Sequence, residues 1–387
     1  MKHGKKFLAG LLALCLLCGI SVTGAVAAPT ELRYRDNGEF RILAFTDTHQ
    51  TQADQPKMIA FMNEALDYAK PDLVVFVGDN VYGDACGTYE TEMAAIKKIL
   101  TPVAGRGIPF AFVWGNHDTE YHPDGKDARP ELMEMYRSFP GCLAWAGDPA
   151  APGASSYSLP IYSSADASEI VSNLWFFDSG HGTVEQSQID WYIAASEDLQ
   201  AQNGGQAVPS MAFQHIIVPE IFEAFPEIPF DIPFLTSTVQ GVRRLRIPDY
   251  TKLTGLVMEP AGFSPTNDSG QLDAWAGRGD IFAAVFGHDH TNNFIAPFRG
   301  VDLVQIPGTT WDGSYGSDVV RGATLFILDE NNPRGYEKRD ITYRALAAQP
   351  GSGIGWPLRL AECYYWLCYG LEKALEAIVS PIRLLTK

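Results

Sequence analysis

Residues 73–80 read Leu-Val-Val-Phe-Val-Gly-Asp-Asn, five apolar residues followed at once by a glycine and two polar side chains. An apolar run of this length that ends in a turn signal is typical of a strand buried on both faces. Helical periodicity lies on either side of it, at 56–70 and 89–100, and further apolar runs lie at 40–45 and 110–114. This alternation of strands and helices predicts a layered α/β fold.

The composition is that of a globular protein, with 46% hydrophobic and 19% charged residues in a chain of 387. The chain has 29 Lys and Arg against 46 Asp and Glu, a formal net charge of -17. Such an acidic chain argues against binding to nucleic acid or anionic lipid, because both require a basic surface. A small phosphate-bearing substrate is compatible with it, since bound cations can override the overall charge locally.

The first 27 residues have the pattern of a secretory signal peptide. Lysines precede an apolar stretch from Phe7 to Ile20, and the small residues Ala25-Val26-Ala27 follow it. We therefore expect a secreted protein; an uncleaved membrane anchor is the less favoured alternative, because the apolar run is short for a membrane span. The rest of the chain divides into a domain at 28–345 and a C-terminal amphipathic helical tail at 346–387. Docking of this tail on the domain is favoured over contact with a membrane surface.

Four cysteines follow the predicted signal peptide: Cys86, Cys142, Cys363 and Cys368. In an exported chain an even number of cysteines permits disulfide bonds, and three pairings are open. We expect one or two bridges at most. No C-x-x-C spacing occurs among these four, so a thiolate metal site is not predicted.

Polar side chains follow five of the predicted strands. Because the carboxyl ends of strands in open α/β sheets converge on one crevice, we expect these side chains to meet there. Five of the eight histidines lie at such positions. The residues are Asp47 and His49 after 40–45; Asp79 after 73–77; Asn116, His117 and Asp118 after 110–114; His215 after 211–213; and His288 and His290 after 281–286.

This mixture of oxygen and imidazole ligands suits two divalent metal ions of the Mn, Fe or Zn type. Two ions about 3.5–4 Å apart can clamp a phosphoryl group from both sides. A carboxylate must bridge ions held so close together, and Asp79 is the expected bridge. Two carboxylates would leave such a site electropositive, so that it attracts phosphate even in an acidic protein.

The order of these motifs is similar to that of the calcineurin-like metallophosphoesterase superfamily. The chain further resembles the purple-acid-phosphatase-29-like subgroup in its segments 177–180 (Phe-Asp-Ser-Gly), 264–270 (Ser-Pro-Thr-Asn-Asp-Ser-Gly) and 287–294 (Gly-His-Asp-His-Thr-Asn-Asn-Phe). The superfamily resemblance rests on Asp47-x-His49, Gly78-Asp79-Asn80, Gly115-Asn116-His117-Asp118, His215 and Gly287-His288-x-His290.

The resemblance implies a four-layer α/β/β/α sandwich of two packed mixed sheets, and it implies roles for the site residues. His117 would face the substrate without binding metal, with Asp118 as its orienting partner. One ion would take Asp47, His49, Asp79 and His290, and the second would share Asp79 and take Asn116, His215 and His288.

The chain departs from true purple acid phosphatases at His49. Those enzymes have glycine at this position and use a tyrosine ligand that gives the ferric iron its colour. Tyr82 stands at the matching offset, but because His49 is present we expect Tyr82 to line the site instead of binding metal. The identity of the metal pair stays open.

These observations predict a secreted two-metal phosphoesterase that hydrolyses small phosphate monoesters by attack of a metal-bridging hydroxide. His117 would stabilise the transition state or protonate the leaving oxygen. The nearest alternative is a phosphodiesterase or nucleotidase on the same scaffold, and a non-catalytic metal-binding module is a third reading.

The stretch 218–270 admits two interpretations. It forms either a lid that shapes the substrate site or a loop excursion that packs on the domain. Arg243, Arg244 and Arg246 lie in this stretch, and they either contact phosphate or form a solvated basic turn.

Overall fold

The computed structural model describes residues 31–121, 126–145, 156–233, 235–258, 269–311 and 320–347. The predicted signal peptide, the tail from residue 348 onward and most of the segment 264–270 lie outside the described residues. None of the described helices is long and apolar enough to cross a membrane.

The described elements alternate between strands and helices over much of the chain. The strands are β1 (Leu32–Arg33), β2 (Glu39–Phe45), β3 (Leu73–Val77), β4 (Phe110–Val113), β5 (Tyr157–Tyr162), β6 (Ile170–Phe176), β7 (Ser210–Phe213), β8 (Thr236–Val239), β9 (Val242–Leu245), β10 (Thr254–Leu256), β11 (Ile281–Phe286), β12 (Asn293–Phe298), β13 (Val301–Gln305), β14 (Gly322–Asp329) and β15 (Asn332–Thr342). The helices are α1 (Pro56–Ala69), α2 (Gly83–Cys86), α3 (Tyr89–Ala104), α4 (Arg129–Arg137), α5 (Gln186–Gln202), α6 (Gln271–Arg278) and α7 (Tyr343–Ala347), with a 3₁₀ helix at Pro219–Ala224.

Within the described ranges these strands form two large sheets and one hairpin. The first sheet has the order β15-β14-β2-β3-β4, and the second has the order β1-β5-β6-β7-β11-β13-β12-β10. Both are mixed: β2, β3 and β4 run parallel, as do β6, β7, β11 and β13, and antiparallel pairings join β14, β5 and β12 to these. Strands β8 and β9 form the hairpin, and an isolated antiparallel bridge joins Arg244 of β9 to Glu227.

The two sheets pack face to face with helices outside them. Alternate residues of β6 show this division, since Leu174 and Phe176 belong to the core between the sheets whereas Trp175 packs in a second core with Ile189 and Tyr192 of α5. Buried residues of α1 and α3 cover the first sheet, and those of α5 and α6 cover the second. The expected four-layer α/β/β/α arrangement is confirmed.

Tyr157 is one of the side chains that join the two sheets by hydrogen bonds. The hydroxyl of Tyr157 in β5 donates to the carbonyl of Phe112 in β4 at 2.6 Å and accepts from the backbone N–H of the same residue at 3.1 Å. Because Tyr157 is fully buried, this pair satisfies polar groups that would otherwise be costly in the core. It ties β4 of the first sheet to β5 of the second.

The described part of 218–270 packs on the domain. Val218, Phe222 and Leu253 are buried in the second core. Arg244 stabilises this packing, because its guanidinium donates hydrogen bonds to the carbonyls of Phe222 and Phe225, at 3.0 Å each. The loop-excursion interpretation therefore holds for 218–233 and 235–258.

The two cysteines in the described residues are free thiols. Cys86 is buried and Cys142 is partly buried, and no disulfide bond joins them. Burial raises the pKa of Cys86 to about 11 and that of Cys142 to about 12, which leaves both as unreactive thiols at neutral pH. Cys363 and Cys368 lie outside the described residues.

Candidate metal centre

The centre lies where loops after strands of both sheets meet. The loops after β2 and β3 are joined by backbone hydrogen bonds, from Asp47 N–H to the carbonyl of Gly78 at 3.0 Å and from His49 N–H to that of Asp79 at 2.9 Å. The loops after β7 and β11 are joined in the same way, from Gly287 N–H to the carbonyl of His215 at 3.0 Å. The loop after β4 is joined to the loop after β3 by the backbone N–H of His117, which donates to Asp79 Oδ1 at 2.8 Å, so five strand ends converge, as expected for this architecture.

Six of the seven predicted ligands form two groups that share one carboxylate. In each group one potential ligand atom from each residue lies within 4.8 Å of the others, a span that one metal ion can bridge. The first group is Asp47, His49, Asp79 and His290, and the second is Asp79, His215 and His288.

The closest approaches run between imidazole and carboxylate. Asp79 Oδ2 lies 3.1 Å from His215 Nε2 in one group and 3.5 Å from His49 Nε2 in the other. Also in the first group, His290 Nε2 lies 3.2 Å from Asp47 Oδ1. Asp79 therefore has the position of a carboxylate that serves both groups, which is the role that the sequence predicted for it.

The donor atoms test whether these residues fit two cations. Asp47 Oδ1, Asp79 Oδ2, His215 Nε2 and Asn116 Oδ1 are all buried, and none makes a hydrogen bond within the described part of the chain. Buried polar atoms are normally satisfied, so four such atoms in one place indicate that something else binds them. The donors are oxygen and imidazole nitrogen, as divalent Mn, Fe and Zn prefer, and the residues therefore fit a pair of metal ions.

The remaining atoms of the same side chains are held by the protein. His215 Nδ1 lies 2.8 Å from the carbonyl of Val77, a contact that places the hydrogen on Nδ1 and leaves Nε2, the nitrogen turned to the cluster, as the metal-binding atom of the neutral ring. Asp47 Oδ2 accepts from the hydroxyl of Thr46 at 2.8 Å and from the N–H of His288 at 3.1 Å. In each residue one atom is committed to the protein and the other points to the cluster.

Backbone strain is concentrated at this centre. Seven described residues other than glycine have a positive φ, and four of them are predicted ligands: Asp47 at 50°, His49 at 43°, Asp79 at 48° and His288 at 72°. Side chains disfavour this left-handed conformation, which persists only where the surrounding structure imposes it and which clusters at functional sites.

Two glycines, Gly78 and Gly115, allow the loops after β3 and β4 to lie directly against the ligand side chains. A Cβ on Gly115 would lie 2.1 Å from Asp79 Oδ1, and a Cβ on Gly78 would lie 2.5 Å from the ring of His215. Gly78 also has a φ of +85°. Any side chain at either position would displace a predicted ligand.

The buried carboxylates favour positive charge at the centre. Burial alone would raise the pKa of Asp47, but His290 and the other imidazoles outweigh it and hold that pKa well below its usual range. Burial alone would lower the pKa of His215, but Asp79 raises it to about 10. For His288, burial and the neighbouring His215 lower the pKa to about 4, so this ring is neutral and able to bind metal at physiological pH.

His117 lies beside the cluster, with its ring centroid 5.1 Å from that of His49. Its Nδ1 lies 2.6 Å from Glu120 Oε1, and its backbone N–H donates to Asp79 Oδ1 at 2.8 Å. The partner predicted from the sequence was Asp118, and the structure corrects this. Both oxygens of Asp118 accept backbone N–H groups, from Val81 at 2.9 Å and Gly115 at 2.7 Å, so Asp118 ties the loop after β4 to the loop after β3.

Tyr82 lines the rim of the centre. Its ring packs edge-on against His117 at 4.9 Å and against His49 at 5.9 Å, and the residue is 37% exposed. His49 belongs to the first ligand group, as the sequence predicted. His181 borders a neighbouring cleft, and His122 lies outside the described residues.

A cleft of about 290 Å³ opens next to Gly115. It contains charges of both signs: the guanidinium of Arg129 lies 2.7 Å from the buried carboxylate of Asp178, and Lys126 and Asp127 also line it. Because Gly115 lines the cleft and lies directly against Asp79, the cleft adjoins the centre.

Two residues at the centre were missed from the sequence. Thr46 directly precedes Asp47, and threonine is so common in and beside strands that its presence there gave no signal. Glu120 follows His117 by three positions, and this spacing, which brings two side chains to one side of a turn, was the available signal.

Known proteins share this sequence pattern. Residues 40–292 match the family model described as Calcineurin-like phosphoesterase. The chain is 28% identical over 364 residues to "Probable inactive purple acid phosphatase 29" of Arabidopsis thaliana, covering 84% of this chain and 85% of the relative. It is 27% identical over 327 residues to "Probable inactive purple acid phosphatase 14" of the same plant, covering 74% of each chain.

Among solved structures, a dimetal phosphatase from Danio rerio aligns with a TM-score of 0.46 at 11% identity, over 75% of this chain and 93% of that one. The match to the family model spans more than half of the chain and contains every predicted ligand. The resemblance inferred from the motifs is confirmed, and the chain belongs to the calcineurin-like phosphoesterase family.

Proposed function

We propose that this protein is a two-metal phosphoesterase that hydrolyses small phosphate monoesters. The observation that carries the proposal is the pair of ligand groups that share Asp79, with four buried donor atoms that no described protein group satisfies. When bound, two divalent ions would supply charge neutralisation for the phosphoryl group and a water of lowered pKa.

The chain's own residues would perform three tasks. Asp47, Asp79 and the four cluster histidines would hold the ions, with Asn116 as a further ligand of the second. The loop that carries His117 is fixed against Asp79 by the N–H of that histidine, so its imidazole stays beside the reacting group. His117 would stabilise the transition state or protonate the leaving oxygen. The cleft beside Gly115 would hold the leaving group.

The names of the two plant relatives describe those proteins as inactive. Activity of the present chain is supported by its own residues: every ligand that the family resemblance implies, and His117, is present in the sequence. A non-catalytic metal-binding module needs the ligands but has no use for a histidine held beside them by Glu120.

The metals are proposed to be divalent Mn, Fe or Zn. Four imidazoles and two carboxylates bring too little negative charge to favour a ferric ion. His49 would also fill the ligand role that a tyrosine has in the purple acid phosphatases. We also propose that the chain is exported, on the pattern of residues 1–27. Mass spectrometry of protein recovered outside expressing cells would test this, and a chain that still carries residues 1–27 would contradict it.

The function is tested by loading purified protein with Mn²⁺ or Zn²⁺ and measuring hydrolysis of 4-nitrophenyl phosphate and bis(4-nitrophenyl) phosphate. We expect the monoester to be the better substrate. Faster hydrolysis of the diester would instead support a phosphodiesterase, for which the cleft beside Gly115 offers room for a second substituent. Two bound metals without hydrolysis of either would contradict both and support a binding module.

A further inference from the structure

Glu120 makes one strong contact in the described structure, and that contact is with His117. Its Oε1 lies 2.6 Å from Nδ1 of the imidazole, the short distance of a charge-assisted hydrogen bond. Its Oε2 is buried and makes no hydrogen bond within the described ranges. This carboxylate thus has no described structural task other than to hold the ring.

The backbone fixes the turn that carries both residues. The N–H of Gly83, at the start of α2, donates to the carbonyl of His117 at 3.0 Å. A Cβ on Gly83 would lie 3.0 Å from that carbonyl and 3.2 Å from the backbone nitrogen of Glu120, so α2 packs tightly against the turn. The acid and the imidazole are therefore presented in a fixed relation.

An imidazole has two nitrogens, and a carboxylate on one determines the state of the other. A carboxylate can only accept at Nδ1, so it favours the tautomer with Nδ1 protonated. When Nε2 also carries a hydrogen, it can give that proton while Nδ1 stays hydrogen-bonded to Glu120. Tyr82 packs edge-on against the same ring and restricts its rotation from another side.

We propose that Glu120 is the positioning residue for His117, holding the imidazole so that Nε2 faces the leaving oxygen of the substrate. This inference rests on the function proposed above. The proton would pass from His117 Nε2 to the ester oxygen as its bond to phosphorus breaks, and solvent would return a proton to the ring. Asp118, although adjacent in sequence, takes no part, because backbone N–H groups occupy both of its oxygens.

The first test compares Glu120→Gln with His117→Ala and the double variant, using aryl phosphates whose leaving groups differ in pKa. The expected result for Glu120→Gln is a fall in kcat of roughly 10–100-fold on phenyl phosphate, with metal content and KM unchanged. The fall should be smaller on 4-nitrophenyl phosphate, whose leaving group needs little protonation. In the His117→Ala background the Glu120 substitution should have no further effect.

A matched control is Glu131→Gln, which changes an exposed glutamate at the start of α4 and should leave turnover as in the wild type. Equal losses from Glu120→Gln with and without His117 would show that Glu120 acts independently of the imidazole and would overturn the proposal. Full activity of Glu120→Gln on phenyl phosphate would overturn it too. If Glu120→Gln fails to fold, Glu120→Ala is used in its place.

The second test does not depend on activity. In zinc-loaded protein with ¹⁵N-labelled histidine, the wild type should show His117 with Nδ1 protonated, and Glu120→Gln should shift the ring toward the other tautomer. An unchanged tautomer would overturn the positioning role. If the loaded wild type hydrolyses no ester, the proposed function fails, while this spectrum still decides whether Glu120 controls the ring.

Discussion

Glu92 on α3 is a buried carboxyl group whose replacement should change how stability depends on pH. The residue is 0% exposed, and neither of its oxygens makes a hydrogen bond in the described part of the protein. Burial, and secondarily the negative charge of Asp118, raise the pKa of Glu92 from 4.5 to about 8. At neutral pH the folded state therefore keeps a proton that the unfolded chain has already released.

Proton linkage determines whether the unfolding free energy rises or falls with pH. Between the two pKa values the native state binds more protons than the unfolded state, so stability falls as pH rises through this window and levels off above the folded pKa. With pKa values of 4.5 and about 8, this single group should cost about 2–3 kcal/mol of unfolding free energy between pH 5 and pH 7. Glutamine has nearly the same shape and cannot ionise, so Glu92→Gln should remove this cost.

The assay is urea unfolding of the metal-loaded wild type and of Glu92→Gln at pH 5, 6, 7 and 8. The difference between the two proteins cancels the titration of groups that they share. It should move in favour of the variant by about 2–3 kcal/mol from pH 5 to pH 7. Glu90→Gln, an exposed position on the same helix, is the control and should show a flat difference. A flat difference for Glu92→Gln as well would show that Glu92 does not keep its proton in the folded protein.

Three further predictions follow from the centre and the core. His117→Ala should keep both metals and lose roughly two to four orders of magnitude in turnover, as measured by metal analysis and steady-state kinetics; loss of metal would show that the ligand set is wrong. Tyr82→Phe should leave metal content unchanged and alter activity modestly, and protein purified with iron should be colourless or nearly so; a strong visible band that vanishes in this variant would make Tyr82 a ligand. Tyr157→Phe should lower the unfolding free energy by about 1–3 kcal/mol, because it strips the two backbone groups of Phe112 of their partner; an unchanged urea midpoint would contradict that role.

The layered fold was predictable because its central strands are continuous apolar runs. The predicted runs at 73–77 and 281–286 match β3 and β11 residue for residue. Strand β5 was missed since Pro160 lies inside it, and proline lacks the N–H that a sheet interior requires. Strand β15 was missed because it is an edge strand, paired on one side only and mostly polar, so no apolar pattern marks it.

The candidate site was predictable to the extent that its residues sit at strand ends. Asp47, Asp79 and His215 follow buried strands directly, and convergence of those ends needs only the topology. The partner of His117 was not predictable in this way. Asp118 is nearer in sequence, but its oxygens are drawn to the N–H groups of the loops after β3 and β4, whereas Glu120 reaches the ring across one turn. Which carboxylate accepts a hydrogen bond from which donor depends on loop conformation, and the periodicity of the sequence does not predict loop conformation.

We propose that Asp79 would hold both metal ions and that hydrolysis depends on the pair. The direct measurement is metal stoichiometry by mass spectrometry, together with 4-nitrophenyl phosphate turnover, for the wild type, Asp79→Asn and the control Asp84→Asn, which changes an exposed residue of α2. Because asparagine keeps the size and removes the charge, Asp79→Asn should bind at most one ion and lose nearly all turnover, while the wild type and Asp84→Asn bind two and hydrolyse the ester. Two ions and near-normal turnover in Asp79→Asn would show that the charge of Asp79 is not needed to hold the metal pair.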